Sequence, residues 1–282
     1  ALNILVYFSL DELLKISSNN SSTGRTRGGY IALSSLAWIS AQLSLGTFMG
    51  GFSFRMIYLT SFAVVLLFFA LAYKRLKNIP DPQYDQMDTK KYIGEFFKNK
   101  NLFRAYTLTF LLQFFFCWMV IYTPIYLSSY LGFSWKEIGL IFAVMIVPFA
   151  LIPFPLGKFS DKIGERKMLM FGFIVTSLAT LSLFFVKEHS IWIWALLLFL
   201  TRIGASTIEV MSDTYFFKHI TPENEEFVGV YRSTFPIAYI IGPAVAFLAF
   251  SFVPSFNFLF LILGALMLSG VYLASTIKRD DI

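Results

Sequence analysis

The chain has 282 residues, of which 57% are hydrophobic, 19% are aromatic and only 14% are charged. Soluble domains typically carry about 25% charged residues, so the composition excludes an ordinary soluble domain and indicates a membrane protein. The formal net charge of +6 would also suit a nucleic-acid-binding protein. The basic residues cluster between apolar segments, however, so we expect the lipid bilayer, and no nucleic acid, as a partner.

Eight apolar segments are long enough to cross the hydrocarbon of a bilayer, which requires roughly 20 residues of helix. The opening sequence ALNILVYFSL is too short for a span, and we interpret it as the end of a ninth helix in a chain truncated at its N-terminus. We therefore predict an all-α membrane protein, a helical bundle with eight complete transmembrane helices plus the end of a ninth. The predicted spans are 29–49, 56–73, 106–130, 138–156, 168–186, 191–211, 231–250 and 255–277.

The distribution of basic residues predicts the orientation of these spans. Threading them alternately through the membrane puts most of the 23 Lys and Arg on one side, which the positive-inside rule identifies as cytoplasmic. The sequence thus predicts a multi-pass protein of the plasma or inner membrane with a cytoplasmic C-terminus. One long polar connection, residues 78–104, divides the chain, and its second half is either an amphipathic surface helix or a plain tether.

A short charged loop between the fourth and fifth spans reads GKFSDKIGERKML, residues 157–169. Gly157 and Gly164 permit a tight turn with close backbone approach, and Asp161 can face the positive end of a neighbouring helix. The loop resembles the G-x-L-x-D-R-x-G-R-R-x-x-L loop of the major facilitator superfamily, which joins the second and third helices of a six-helix bundle.

This sequence departs from that pattern at three positions. Phe159 stands where the family has Leu, Lys162 where it has Arg, and Glu165 where it has the first of two basic residues. Only Glu165 reverses a charge.

The resemblance implies a twelve-helix transporter with two bundles. Residues 1–77 would be a remnant of the N-terminal bundle (the end of helix 4, then helices 5 and 6), residues 78–104 a cytoplasmic linker, and residues 105–282 the C-terminal bundle of helices 7–12. Such proteins move a small-molecule substrate by alternating access, and we expect a monomer without a cofactor.

The resemblance also implies that the charged loop acts as a latch that holds the conformation closed to the cytoplasm. Asp213 occupies the location of the acidic residue that pairs with the loop's basic residues in the family, and Arg166 is its preferred partner. The alternative is a loop that collects basic residues only to orient the protein. The predicted latch comprises Gly157, Asp161, Lys162, Gly164, Arg166 and Asp213.

The predicted span 191–211 contains two ionisable residues, Arg202 and Glu209. An ionised side chain at the bilayer centre costs about 2.5 to 3.5 kcal/mol on insertion scales and usually faces a polar cavity. Seven positions are nearly two helical turns, so both side chains lie on one face. We predict roles in substrate binding or proton coupling, and the run RIGAS resembles the family's fourth-helix motif linked to proton transfer. A structural ion pair between helices is the alternative.

Two further pairs of residues are candidates for function. Gln113 and Tyr122 lie in a span that the family resemblance makes cavity-lining, so they are predicted substrate contacts, although membrane aromatics most often pack against neighbours. Gly242 and Pro243 resemble the Gly-Pro motif of antiporters and predict a helix bend.

Other function classes lack support in the sequence. It contains no phosphate-binding Gly-Lys-Ser/Thr loop, and His189 and His219 fall on opposite faces of the predicted topology, so we expect neither ATP-driven transport nor a metal site. No Ser/His/Asp arrangement suggests an enzyme. The predicted function is proton-coupled transport, with export of amphipathic or drug-like compounds preferred. The alternatives are transport of a sugar or other metabolite, and a non-transporting membrane sensor or scaffold.

Overall fold

The structure is a computed structural model that describes residues 33–34, 36–44, 54–76, 89–152, 156, 163–220 and 226–277. These residues are predominantly helical, and no strand occurs among them; residues 36–44 form a short helical segment. Nine further helices follow: α1 (Phe54–Leu76), α2 (Thr89–Lys98), α3 (Lys100–Ser129), α4 (Trp135–Leu151), α5 (Glu165–Leu183), α6 (Ile191–Lys218), α7 (Phe227–Arg232), α8 (Thr234–Phe252) and α9 (Phe258–Ser275).

The described residues contain six helical segments that are long and apolar enough to cross a membrane, and not the eight complete spans plus the end of a ninth that were expected. Helix α4 matches the predicted span 138–156 in position, but its 17 residues reach only about 26 Å. Residues 1–32, and ten of the 21 residues of the predicted span 29–49, lie outside the described residues. The six segments are Arg55–Leu76, Lys100–Ser129, Glu165–Leu183, Ile191–Lys218, Phe227–Phe252 and Phe258–Ser275.

Capping side chains explain where two helices begin. The Asn99 side chain accepts hydrogen bonds from the backbone N–H groups of Asn101 and Leu102, so α3 begins at Lys100, inside the predicted linker. Ser134 and Glu137 form a reciprocal capping box at the start of α4. Such caps satisfy backbone donors that have no partner within the helix.

Helix α5 lies between α6 and α9, and small residues allow all three to approach closely. A Cβ atom added to Gly204 would lie 2.5 Å from the carbonyl oxygen of Gly172 and 2.3 Å from the hydroxyl of Thr176. On the other side of α5, a Cβ atom on Gly270 would lie 2.2 Å from the Phe173 ring. Because lipid removes the hydrophobic drive between helices, close van der Waals packing of this kind holds membrane bundles together.

Helix α3 packs against α8 through a buried tryptophan. The indole N–H of Trp118 donates a hydrogen bond of 2.9 Å to the carbonyl oxygen of Gly242. A Cβ atom on Gly242 would lie 2.7 Å from the sulfur of Cys117. Gly242 is thus a point of close helix contact, while Pro243 lies within α8, which continues on both sides of it.

The second half of the polar connection forms helix α2, and its aromatic residues dock onto the bundle. Phe96 is fully buried, and its ring contacts those of Tyr106, Phe216 and Phe227. Ile93 remains 42% exposed, so one part of the apolar face is free to meet lipid. The segment is thus helical, as one of the two interpretations expected, and its position on the bilayer surface stays a prediction.

Helix α1 stands apart from this packing. None of its described side chains is buried, and its large apolar residues are exposed along the whole helix. An apolar surface of this extent requires contact with lipid or with another apolar partner.

Candidate functional site

Arg202 is buried in the middle of α6, with 4% of its surface exposed. Its guanidinium carbon lies 4.8 Å from the centroid of the Phe116 ring, 5.8 Å from that of Phe115 and 5.9 Å from that of Phe149. Helices α3 and α4 provide these rings. The Nε atom of Arg202 has no hydrogen-bond partner among the described residues, so the phenyl rings are its principal observed contacts.

Glu209 lies two turns further along α6 and is only partly buried. Its carboxylate interacts electrostatically with Asp213, Arg232 and Arg202, and none of these forms an ion pair with it within the part of the chain that the structure describes. The predicted placement of Arg202 and Glu209 on one helix face follows from their spacing. They are about 10 Å apart along the axis, too far for a direct contact.

The two predicted polar contacts on α3 differ in their surroundings. Gln113 is partly exposed, and no hydrogen bond from its side chain occurs within the described ranges. Tyr122 lies in an aromatic cluster, with its ring 5.9 Å from that of Trp118 and 5.1 Å from that of Phe250. This cluster accounts for the position of Tyr122 by packing, and its role in substrate binding stays a prediction.

Asp213 joins three helices near the Lys218 end of α6. One carboxylate oxygen accepts a 2.8 Å hydrogen bond from the hydroxyl of Tyr231, and the other lies 3.4 Å from Arg232. Because Tyr231 donates to Asp213, the hydroxyl of Thr109 donates to Tyr231, over 2.6 Å. The expected partner Arg166 forms no ion pair with Asp213 here, since Arg232 of α7 occupies that position.

Glu165, the residue that reverses a charge in the loop motif, is paired with Lys218. The carboxylate is 2% exposed, whereas the Lys218 side chain is 45% exposed. Glu165 lies in the first turn of α5 and Lys218 in the last turn of α6, which are the ends where helix dipoles favour an acid and a base respectively. The reversed charge is therefore compensated by a partner of opposite sign.

Removal of Lys218 is expected to destabilise the bundle through Glu165. The second carboxylate oxygen of Glu165 already lacks a partner among the described residues, so Lys218→Gln leaves a buried charge without its counter-ion. We expect a loss of about 1 to 3 kcal/mol, measured by thermal unfolding in detergent. The double variant Glu165→Gln/Lys218→Gln should recover part of it. Lys167→Gln, at an exposed lysine of α5, is the control, and equal melting of the Lys218 and Lys167 variants would contradict this role.

Three of the predicted latch residues, Gly157, Asp161 and Lys162, lie outside the described residues. Gly164 precedes α5 with φ of 85°, a left-handed conformation that strains any residue with a side chain. This backbone conformation therefore explains why a glycine occupies position 164.

Several residues that shape the site were not singled out from the sequence. Phe116 and Phe149 belong to uniformly apolar segments, and nothing in their spacing distinguishes them from lipid-facing residues. Tyr231 and Arg232 begin a span that was predicted only as apolar. The reversed sign at Glu165 indicated that a basic partner was needed, but it did not identify Lys218 as that partner.

Comparison with known proteins identifies the family. A search of curated proteins finds no match. A family model described as Major Facilitator Superfamily matches residues 114–281, more than half of the chain. That range contains the site built around Arg202, Glu209 and Asp213. The chain belongs to the major facilitator superfamily of membrane transporters.

Proposed function

We propose that the protein is a secondary active transporter that moves a small solute by alternating access and couples this movement to protons. The observation that carries the proposal is the pair Arg202 and Glu209, two ionisable side chains on one face of a membrane-spanning helix. Ionisable residues within membrane-spanning helices usually mark a substrate or ion pathway. Membership of the family supports a transport function. The pair of Arg202 and Glu209 supports the location of the substrate or proton site on α6.

Glu209 is the proposed proton carrier. A carboxyl group that alternates between a dry and a wet environment takes up and releases a proton, because desolvation disfavours its charged form. Glu209 is partly exposed and has no fixed ion-pair partner among the described residues. It is therefore able to change its protonation without breaking a structural contact, unlike Asp213, which is held by Tyr231 and Arg232.

The contacts near the end of α6 are the proposed latch. The Asp213 network and the pair of Glu165 with Lys218 tie α6 to α3, α5 and α7. We propose that these contacts stabilise the conformation closed to the cytoplasm and break when the bundle opens to that side.

The preferred cargo is an amphipathic or drug-like compound that is exported, and the protein acts as a monomer in the plasma or inner membrane with its C-terminus in the cytoplasm. The aromatic surroundings of Arg202 support an apolar part in the substrate. A sugar or another metabolite is the competing cargo.

A non-transporting sensor or scaffold is the second candidate function. The observation that favours it is the enclosure of Arg202 by three phenyl rings, since a buried arginine of this kind can serve packing alone. Transport activity distinguishes the two candidates directly.

The test is reconstitution of the complete protein in lipid vesicles with a solute panel. We expect at least one solute to move faster when a pH gradient is imposed, and a protonophore to remove that stimulation. Vesicles without protein are the control. A correctly folded protein that moves no solute in either direction would favour the scaffold.

A further inference from the structure

The guanidinium of Arg202 has no counter-ion among the described residues. Its Nε–H group donates to no acceptor, and no acidic side chain forms an ion pair with Arg202, anywhere in the described ranges. An arginine remains charged in proteins, so it cannot relieve its burial by losing a proton. An uncompensated buried charge is unfavourable, and this arrangement therefore needs an explanation.

Neither neighbouring acid on α6 supplies the missing charge. Glu209 is about 10 Å away along the helix axis, and Asp213 is one turn further and already bound by Tyr231 and Arg232. Tyr239 of α8 interacts electrostatically with Arg202, but a tyrosine hydroxyl is neutral at ordinary pH. The counter-ion must therefore come from outside this set of residues.

Phenyl rings form the apolar surroundings of the Arg202 guanidinium. Phe116 lies 4.8 Å from the guanidinium carbon, close enough for a cation–π contact with the ring face. Such a contact stabilises the cation without supplying a hydrogen-bond acceptor. The N–H groups of a guanidinium instead match the two oxygens of a carboxylate.

We propose that Arg202 binds the carboxylate of an organic monoanion, and that the rings of Phe115, Phe116 and Phe149 pack against the aromatic or aliphatic body of that anion. The inference rests on the proposed transport function and narrows its substrate class to amphipathic carboxylates. One guanidinium balances one negative charge, whereas a doubly charged phosphate would leave an excess negative charge beside buried phenyl rings. The geometry thus favours a monocarboxylate over a phosphate.

The test measures ligand-induced thermal stabilisation of the complete protein in detergent with three matched probes: phenylacetate, the neutral phenylacetamide and the cationic 2-phenylethylamine. We expect phenylacetate near saturation to raise the melting temperature by about 3 °C or more, and the amide and amine to have little effect. The shift should persist in Lys136→Gln, which removes an exposed cation of α4, and disappear in Arg202→Gln.

A second variant keeps the test informative if Arg202→Gln does not fold. Arg202→Lys retains the charge but not the planar pair of donors, so it should bind phenylacetate about tenfold or more weakly, a difference of 1.4 kcal/mol per factor of ten. Its melting temperature without ligand reports whether the fold is intact.

Each result either supports or overturns the inference. Equal stabilisation by the amide or amine would show that charge is not recognised, and an unchanged phenylacetate shift in Arg202→Gln would locate binding elsewhere. No stabilisation by phenylacetate would overturn the assignment of a monocarboxylate. If vesicles transport only neutral or cationic solutes, the transport proposal stands and this inference fails. If phenylacetate binds through Arg202 but no solute is moved, the inference stands and the transport proposal fails.

Discussion

Glu209→Gln is expected to abolish pH-driven solute movement, lowering its rate to that of protein-free vesicles. Glutamine keeps the size and hydrogen-bonding ability of the side chain but cannot exchange a proton. If Glu209 carries the coupling proton, an imposed pH gradient then has no group through which to act. The measurement is the initial rate of solute movement in vesicles with and without the gradient.

Exchange without a gradient separates coupling from binding. Labelled solute should still exchange with unlabelled solute across vesicles that contain Glu209→Gln, because Arg202 and its rings are unchanged. Glu95→Gln is a matched control, since Glu95 is an exposed acid on α2 and its loss should leave both activities intact. Normal gradient-driven transport by Glu209→Gln would show that another group carries the proton.

Gly204→Leu is expected to prevent assembly of α5 and α6 into the native bundle. Its first added atom would lie 2.3 Å from the hydroxyl of Thr176 and 2.5 Å from the backbone oxygen of Gly172. Neither atom is the movable end of a flexible side chain, because Thr176 is fully buried and its hydroxyl is bonded to the carbonyl oxygen of Gly172. The helices would have to separate, so we expect a cost above the roughly 1 to 3 kcal/mol that overpacking typically produces.

Smaller substitutions test the close contact between α5 and α6 at Gly204 without relying on one disruptive variant. Gly204→Ala should lower stability by about 1 to 3 kcal/mol, although alanine is the better helix former by about 1 kcal/mol. Gly94→Ala on α2 is the control, because no atom lies within 4 Å of its added Cβ, and it should be neutral or slightly stabilising. Thermal unfolding in detergent gives the comparison. If Gly204→Ala melts at or above the wild-type temperature, the close crossing is not a source of stability.

Apolar length and charge placement were enough to predict the membrane class and the approximate position of most helices. They were not enough to predict helix ends, because Asn99 and Ser134 fix the starts of α3 and α4 through short-range hydrogen bonds. The predicted span 138–156 extends beyond α4, which ends at Leu151 near the run PFP at residues 153–155. Apolar composition continues there, so hydropathy gives no sign of the helix end.

The site was predictable only where charge interrupts an apolar segment. Arg202, Glu209 and Asp213 are conspicuous for that reason, and their relative spacing follows from helix geometry. Their partners were harder to predict. Arg166 was the expected partner of Asp213, whereas the observed partner, Arg232, lies in another helix. The sequence identified which groups needed partners, whereas the choice among partners depends on how α6 and α7 pack in three dimensions.

Some helices of the bundle contain an internal proline, and others contain none. Pro124, Pro148 and Pro243 interrupt the backbone hydrogen bonding of α3, α4 and α8, whereas α5, α6 and α9 contain no proline and are locked together by glycine contacts. Proline removes one rung of the helical ladder and allows a bend. A bend of α4 at Pro148 would move the adjacent Phe149 ring away from Arg202. Arg202 itself would not move, because it lies on α6, which has no proline. Such a bend would expose the guanidinium without displacing it.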